Sequence, residues 1–484
     1  MFGVIIAHFI ASEYPDIAAK GLFYLDNWPF ADPMIWVFEP DMAAQFIQDH
    51  SLPKSRLYET EFGPFTQCRD LVSLEGAEWK RWRAIFNPGF SAKNLVSLVP
   101  TFLQEIRVFT NWLKKTAESG EIIKLEDQAM KLTIDIIGRA ALGARLHCQT
   151  TDSVFKDAME KQITWLVPDG TPSSILKLIN PFRRPIMWYH NRTMKNYFMP
   201  FIDQGIAEYS QNGPSAAEPK TINSLAIKAY LTEKLAIQDS DSLPTSASDI
   251  DQSFIDMTIS QLKIFMFAGH DTTGTTLSFA LYLLNKPENA STLAALRAEH
   301  DAVLGPDPAA AEAQIAANPN ILNALPYTLA VVKETLRLNP PAGTVRKGQP
   351  GFFLTHPDTK TQYPTDGFVL FGCSHLLQRL DEYYPRPHEF VPERWLAAEG
   401  DPLYVRKNTF RSFELGPRNC IGQELALLEL KAILALTVRE MDVEACYADD
   451  APEVLGEKAY QVMLPWQVTG HPKGGMPVRI KMRG

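Results

Sequence analysis

Residues 413–422 read Phe413-Glu414-Leu415-Gly416-Pro417-Arg418-Asn419-Cys420-Ile421-Gly422, and an apolar, helix-periodic run follows from about Gly422 to Val438. A cysteine placed just before a helix meets free backbone N–H groups and the positive helix end, which stabilise a thiolate. Gly416 permits the turn that bends the chain back. Gly422 lets a flat ligand approach the backbone with no Cβ in the way. Arg418 sets a cation beside the sulfur, suited to a carboxylate on a bound group. The chemistry on offer is a single axial thiolate on a haem iron. A free cysteine is also among the residues most often simply buried, and local physics alone leaves the two readings even.

A second constellation lies inside an apolar stretch: Ala268-Gly269-His270-Asp271-Thr272-Thr273. A helix interior disfavours Gly by about 1 kcal/mol relative to Ala, so a glycine, an acid and two threonines there need a reason. One reason is a local kink with the hydroxyls bonded to the preceding turn. The other is a helix opened at Gly269, with an acid and an alcohol that deliver protons without admitting bulk water. Two spaced pairs also stand out. Glu334 and Arg337 are three apart, Trp79 and Arg83 four apart, so each pair shares one helix face. Alone, such an ion pair is worth about 0.2–0.5 kcal/mol. His147-Cys148 has no second such pair near it, which makes a zinc site a poor reading; Cys68, Cys373 and Cys446 read as packing residues.

The elements that must hold these groups are mostly helical. Strands are expected within 21–50 as a hairpin, and again over 342–372 where short apolar runs alternate with Gly, Pro and Asp. A helix covers Trp79 to Phe86. The longest runs from about Asp251 to Asn285, roughly 50 Å at 1.5 Å per residue, apolar on most faces and so central to a large domain. Another over 326–338 stops at Pro340-Pro341. Asn212–Asn223 and Gln238–Asp251 read as exposed polar loops. Length alone suggests about three domains. The balance of 47 basic and 56 acidic residues, net −9, argues against nucleic acid as a partner. Five cysteines are no disulfide framework and fit a reducing compartment.

The spacing Phe-x-x-Gly-x-Arg-x-Cys-x-Gly resembles the haem-binding signature of the cytochrome P450 family. Its five specified positions are matched by Phe413, Gly416, Arg418, Cys420 and Gly422, against a chance on the order of 10⁻⁴. Glu334-Thr335-Leu336-Arg337, Pro392-Glu393-Arg394-Trp395, Trp79-x-x-x-Arg83 and Ala268–Thr272 are similar to further family motifs, in the family's order. The resemblance implies a mainly α fold with a small β subdomain (α+β) and a long central helix over the haem. It implies one domain over 1–484: segments 21–75 and 342–372 form the β-rich subdomain, and 76–340 and 373–440 the helix-rich haem-binding core. The implied cofactor is haem b (iron-protoporphyrin IX), with Cys420 as metal ligand. Trp79, Arg83, Arg346, Phe413, Gly416, Arg418 and Gly422 would bind the cofactor. Asp271 would relay protons from solvent, and Thr272 would hold the iron-bound peroxo group and order water. Glu334, Arg337 and Arg394 would form a buried triad that locks the cysteine loop.

By the same resemblance the chain is a monomeric monooxygenase that uses O2 and electrons from an NADPH-cytochrome P450 reductase to oxidise a small apolar substrate. The stretch Trp79–Phe90 is similar to fungal members of specialised metabolism. Residues around 60–75, 165–205, 264–272, 341–346 and 460–467 would form the substrate pocket, with Phe265, Phe267, Ala268, Ala342, Gly343 and Thr344 lining it. Lys80, Arg81 and Arg411 are expected to dock the reductase. Peripheral membrane contact is expected through 174–191, which mixes apolar, aromatic and basic residues. That places the chain on the cytosolic face of the endoplasmic reticulum, with the cytoplasm as alternative, since the apolar start MFGVIIAHFIA is too short to span a bilayer. Two other readings stand beside this one. A haem-thiolate isomerase or dehydratase needs no reductase, and a haem-binding sensor needs no turnover; neither requires the Asp271-Thr272 pair.

Overall fold

A computed structural model of the chain describes residues 2–28, 32–166, 176–177, 179–212, 221–237, 244, 246–462 and 469–483. The expected architecture, mainly helical with small sheets, is the one observed. The helices that position the site are α1 (Phe2–Glu13), α2 (Gly76–Phe86), α3 (Ala92–Ser119), α4 (Leu125–Leu142), α5 (Arg183–Asn212), α6 (Gln252–Leu284), α7 (Pro326–Leu338) and α8 (Gln423–Thr437). Parts of three expected features fall outside the described residues: 213–220, 238–243 and 245 of the polar loops, 174–175 and 178 of the membrane segment, and 167–175, 178 and 463–467 of the pocket.

α6 has 33 residues and is buried along most of its length. Asp251 starts it by accepting the Ser253 N–H (3.0 Å), which satisfies one of the free donors of a helix N-terminus. Its apolar character on all sides suits a helix enclosed by others, and α4 is its most extensive partner. Two glycines permit that contact. A Cβ on Gly269 would stand 2.9 Å from Ile137 Cγ1, and one on Gly274 3.0 Å from Met130 Cα. The helix runs unbroken through 268–273. Thr272 Oγ1 donates to Ala268 O (2.9 Å) and Thr276 Oγ1 to Thr272 O (2.8 Å). The expected opening at Gly269 is therefore replaced by close helix packing, with the hydroxyls bonded back to the preceding turn.

The main sheet joins β1 (Leu22–Leu25), β2 (Met34–Val37), β3 (Thr344–Lys347) and β4 (Val369–Gly372) in the order β1-β2-β4-β3. β1 and β2 form the expected hairpin, Leu22 opposite Val37. β2 runs parallel to β4, Met34 opposite Val369, and β4 antiparallel to β3. The parallel pairing ties the start of the chain to a segment far along it. Ile35, Val37, Phe46 and Leu370 close a core beneath it. The apolar start of the chain forms α1, whose Ala7 is buried among Trp36, Phe38 and Leu376. A second hairpin, β5 (Gln461–Val462) with β6 (His471–Pro472), lies against α6. A small sheet of Ile123–Lys124, Pro477–Met482 and Met441–Ala445 and an antiparallel pair of Phe353–Thr355 with Gln362–Pro364 make up the rest of the described β structure. Among the described residues no helix is long and apolar enough to cross a membrane.

If close approach of α4 and α6 is what glycine provides, Gly274→Val must force backbone apart. Overpacking of this kind costs about 1–3 kcal/mol. A thermal melt of the holoprotein is expected to shift down accordingly; an unchanged melting temperature would remove this account of the glycine.

Candidate active site

The loop before α8 is held by its own backbone. The Cys420 N–H donates to Phe413 O (2.8 Å) and the Asn419 N–H to Gly416 O (3.2 Å). Gly416 has φ +80°, and a Cβ there would lie 2.9 Å from Gln48 Cα, so both conformation and space demand glycine. Gly422 is different. A Cβ on it would meet only Cys420 Sγ, at 3.8 Å, and otherwise face open space. The Cys420 thiol is exposed to that space, with protein on its other sides. Burial pushes its pKa up, while the N–H groups of Gly422 and Gln423 and the Arg83 guanidinium oppose the rise. A coordinated metal ion deprotonates a thiol outright, and these three groups then face an anion. Cys148 and Cys373 are buried, and burial pushes their thiols to about 12.

Cys420 and Gly422 border a cavity of about 260 Å³ whose apolar walls include Phe90, Ile137, Phe265, Ala268 and Ala342. At one end, cations collect. Lys54 and Arg418 line the cavity, and Arg346 on β3, fully buried, bridges to Lys54 beside it. Arg346 Nη1 is fixed by Thr344 Oγ1 (2.9 Å) and Val345 O (3.1 Å). Its buried Nε has no partner among the described residues. Arg418 is held by Glu75 (2.8 Å) and Leu74 O (2.8 Å) and stacks on the Trp79 ring at 4.5 Å. Burial first, then the charges of Arg346 and Arg418, drive the Lys54 pKa well below that of a free lysine, against Glu75 and Glu414. Cations so crowded favour an anion among them. An open cradle beside Gly422, an exposed sulfur and a cationic end with an unused donor fit a flat iron-porphyrin group with carboxylate arms.

Arg83 lies apart from this cluster. Its Nη1 and Nη2 donate to Asn419 O (2.9 Å) and Oδ1 (3.0 Å), so α2 grips the residue next to Cys420. Thr272 lines the cavity from α6, while Asp271 is buried on the other side of the helix, where its carboxylate accepts from the Thr469 hydroxyl. Phe265 and Ala268 line the cavity as expected; Phe267 instead packs against Phe62 and Phe65. Two groups escaped the sequence reading. Lys54 sits in a loop without a motif and reaches the cavity only because it bridges to Arg346. Glu429 on α8 also lines the cavity; burial raises its pKa well above the usual carboxylate range despite the Thr273 hydroxyl.

The loop is braced from below. Glu334 on α7 accepts from Arg337 Nη2 (2.7 Å) and Nε (2.9 Å), Arg394 Nε (3.0 Å), Trp395 Nε1 (3.0 Å) and the Val391 N–H (3.0 Å). Arg337 also donates to the carbonyls of Gln378, Pro387 and Glu389. Gln378 passes the constraint on: its Oε1 accepts from the Arg411 N–H (2.7 Å), and Ser412 Oγ donates to Leu336 O (2.8 Å). The brace therefore ends one residue before Phe413. This geometry corrects the expected docking patch. Arg411 is buried against Glu414, and Arg81 is paired with Glu233, so of the three only Lys80 is an exposed cation with no ion pair among the described residues.

A family model described as Cytochrome P450 matches residues 25–468. The cytochrome P450 monooxygenase polC of Polytolypa hystricis is 36% identical, covering 99% of this chain and 84% of its own. The cytochrome P450 monooxygenase acrF of Aspergillus aculeatus is 33% identical over 95% of this chain and 94% of its own. A crystal structure of a cytochrome P450 superposes with a TM-score of 0.75 over 99% of this chain and 100% of its own; at 17% identity, that likeness concerns the fold alone.

Glu334→Gln would leave two buried guanidinium groups without their anion, at a cost of about 3–5 kcal/mol. Burial works to raise the Glu334 pKa, but Arg337, Arg394 and the Val391 N–H outweigh it and hold it below 4.5. Its contribution is thus complete above pH 4.5 and lost as the pH falls below that. Melts at pH 7 are expected to separate wild type and variant widely, and the gap to narrow progressively as the pH is taken below 4.5; equal melting temperatures at pH 7 would remove the brace.

Proposed function

The chain belongs to the cytochrome P450 family and is a haem-dependent monooxygenase, and from that premise we propose which residues carry the reaction and on what they act. Cys420 would ligate the haem iron, with Gly422, Gln423 and Arg83 holding its charge. Arg346, Arg418 and Lys54 would receive the cofactor's carboxylates, with Trp79 as the flat surface that keeps Arg418 in place. Phe413, Gly416 and Gly422 shape the cradle. When bound, the haem supplies activation of O2 and insertion of one oxygen atom into a C–H or similar bond. The protein's own part is to orient substrate, exclude water and deliver protons. Apolar walls at Phe90, Ile137, Phe265 and Ala342 admit an apolar small molecule and keep bulk water out. Thr272, whose hydroxyl is fixed on Ala268 O, presents an oxygen to the cavity at which a proton can be held. Asp271, one residue earlier, is the acid that replenishes it.

The observation that carries this reading is the Cys420 thiol facing a cavity whose other end is cationic. Carbon monoxide difference spectra of the reduced protein test it. Wild type is expected to give the red-shifted Soret band of a thiolate-ligated haem, and Cys420→Ala to lose it. A band at the imidazole-ligated position in wild type would refute the assignment.

Electrons are taken to come from an NADPH-dependent reductase, for which Lys80 beside the cysteine loop is the remaining exposed cation of the expected patch. The fungal relatives favour a substrate from specialised metabolism. The isomerase and sensor readings lose ground, because neither requires the Asp271-Thr272 pair that this chain carries. A peripheral site on the endoplasmic reticulum membrane is supported by five large apolar side chains more than half exposed near one another in sequence: Leu176, Ile179, Phe182, Trp188 and Tyr189. Arg183 among them is committed to the Trp165 and Leu166 carbonyls, so the aromatic groups are the ones to change. Phe182→Ser/Trp188→Ser is expected to lose flotation with liposomes; flotation equal to wild type would end this placement.

A further inference from the structure

Behind Asp271, on the side of α6 away from the cavity, a polar pocket is enclosed by α4, α6 and β6. Asp271 Oδ2 accepts from the Thr469 hydroxyl. Thr469 Oγ1 stands 3.0 Å from His471 Nε2, and Asp271 Oδ1 lies 3.6 Å from the same nitrogen. The other ring nitrogen, Nδ1, is 2.7 Å from Glu126 Oε1. Thr275 Oγ1 donates to that same carboxylate oxygen (3.0 Å). Asp271, Glu126, His471 and Thr469 are each at most 8% exposed. Two buried carboxylates thus share one imidazole. We propose that Glu126, His471 and Thr469 are a proton store behind Asp271, which recharges the acid from inside the protein. This rests on the reading of Asp271 and Thr272 given above.

The charges favour it. With His471 as an imidazolium the pocket holds two anions and one cation; with neutral His471 it holds two anions and none, which burial penalises heavily. Burial by itself disfavours the imidazolium, but the hydrogen bond to Glu126 and the charges of Asp271 and Glu126 outweigh it and raise the His471 pKa above 6.5. The other titratable groups here add no positive charge. Burial lowers the pKa of His270, beside Asp271, against the Asp271 charge and the Met266 carbonyl. The Tyr447 hydroxyl, whose pKa burial and then Glu126 raise, keeps its proton.

The transfer is balanced. The His471 Nε2–H bond breaks as a new bond forms from that proton to Thr469 Oγ1. The former Thr469 Oγ1–H bond breaks as its proton bonds to Asp271 Oδ2. Asp271 becomes neutral, His471 becomes neutral with Nδ1–H still on Glu126, and the pocket carries one net negative charge before and after. A hydroxyl can serve because it donates and accepts at once. Glu126 and His471 touch neither the cavity nor its contents; they act through Asp271.

Two measurements on the full-length holoenzyme test this. In the first, ring-labelled histidines are titrated by NMR in the reduced, carbon-monoxide-bound protein, and the His471 signal is the one missing from His471→Gln. Its midpoint is expected above 6.5 in wild type and lower in Glu126→Gln. In the second, NADPH is supplied through the reductase and the share of electrons released as hydrogen peroxide is followed against pH. Glu126→Gln and His471→Gln are expected to raise that share several-fold, towards Asp271→Asn. A midpoint at or below 6.5 in wild type would overturn the proposal. So would a wild-type peroxide share in Glu126→Gln while Asp271→Asn is raised. A wild-type share in Asp271→Asn would instead refute the acid–alcohol reading on which the store depends. If His471→Gln fails to retain haem, the near-isosteric Glu126→Gln carries both readouts, the one midpoint that falls identifying the signal.

Discussion

The Glu334 carboxylate is the point on which the rest of the structure hangs. It is fully buried and receives five hydrogen bonds, three of them from guanidinium groups. A charge in that position is tolerable only if every lone pair is met. Because it is met by Arg394 and Trp395 from one segment and Arg337 from α7, the intervening chain has little freedom. Two guanidinium groups against one carboxylate leave an excess positive charge. The carbonyls of Gln378, Pro387 and Glu389 absorb it, which fixes the path of 378–389 as well. Gln378 then determines where Arg411 and Ser412 lie. The cysteine loop thus takes its position from an ion triad that never touches the cavity.

α6 solves a different problem with its two sides. One side must offer a hydroxyl to a dry cavity, and the other must bring protons. A helix can do both because adjacent residues point in different directions. Thr272 faces the cavity; Asp271 faces Thr469, His471 and Glu126. Close packing of Gly269 against Ile137 seals the helix against α4 between these two environments. The glycine in the motif is explained by this contact, with no need for a break in the helix.

What could be read from sequence follows from how local the causes are. The 326–338 helix and its stop at Pro340-Pro341, the 252–284 helix, the 22–37 hairpin and the cysteine loop each have their determinants within a few residues, and each is found where expected. Glu334, Arg337 and Arg394 were legible as a group only through resemblance to a family. Gln378, Lys54, Glu429 and His471 were not legible at all. Each is an ordinary polar residue in its own segment and acquires a role only when another segment is folded against it. Arg411 shows the converse error. Its sequence neighbourhood suggests a surface cation near the cysteine, yet Gln378 pulls its backbone inward and Glu414 neutralises its side chain.

The same distinction changes the meaning of the net charge. Composition counts every cation as if it faced water, but Arg337, Arg346, Arg394 and Arg411 are fully buried. Arg337 and Arg394 share the single carboxylate of Glu334, with backbone carbonyls taking up the excess, and Arg411 is paired with Glu414. Arg346 has no carboxylate of its own; it shares the cavity end with Lys54 and Arg418, which have only Glu75 and Glu414 to offset them. Their mutual repulsion works to separate β3 from the cysteine loop. An anionic cofactor between them reverses the sign of that term, so its binding energy becomes part of the folding energy. The brace under Glu334 has the matching task. It holds the loop in place against the repulsion of the cavity end, and the sulfur is thereby positioned by forces that come from the protein alone.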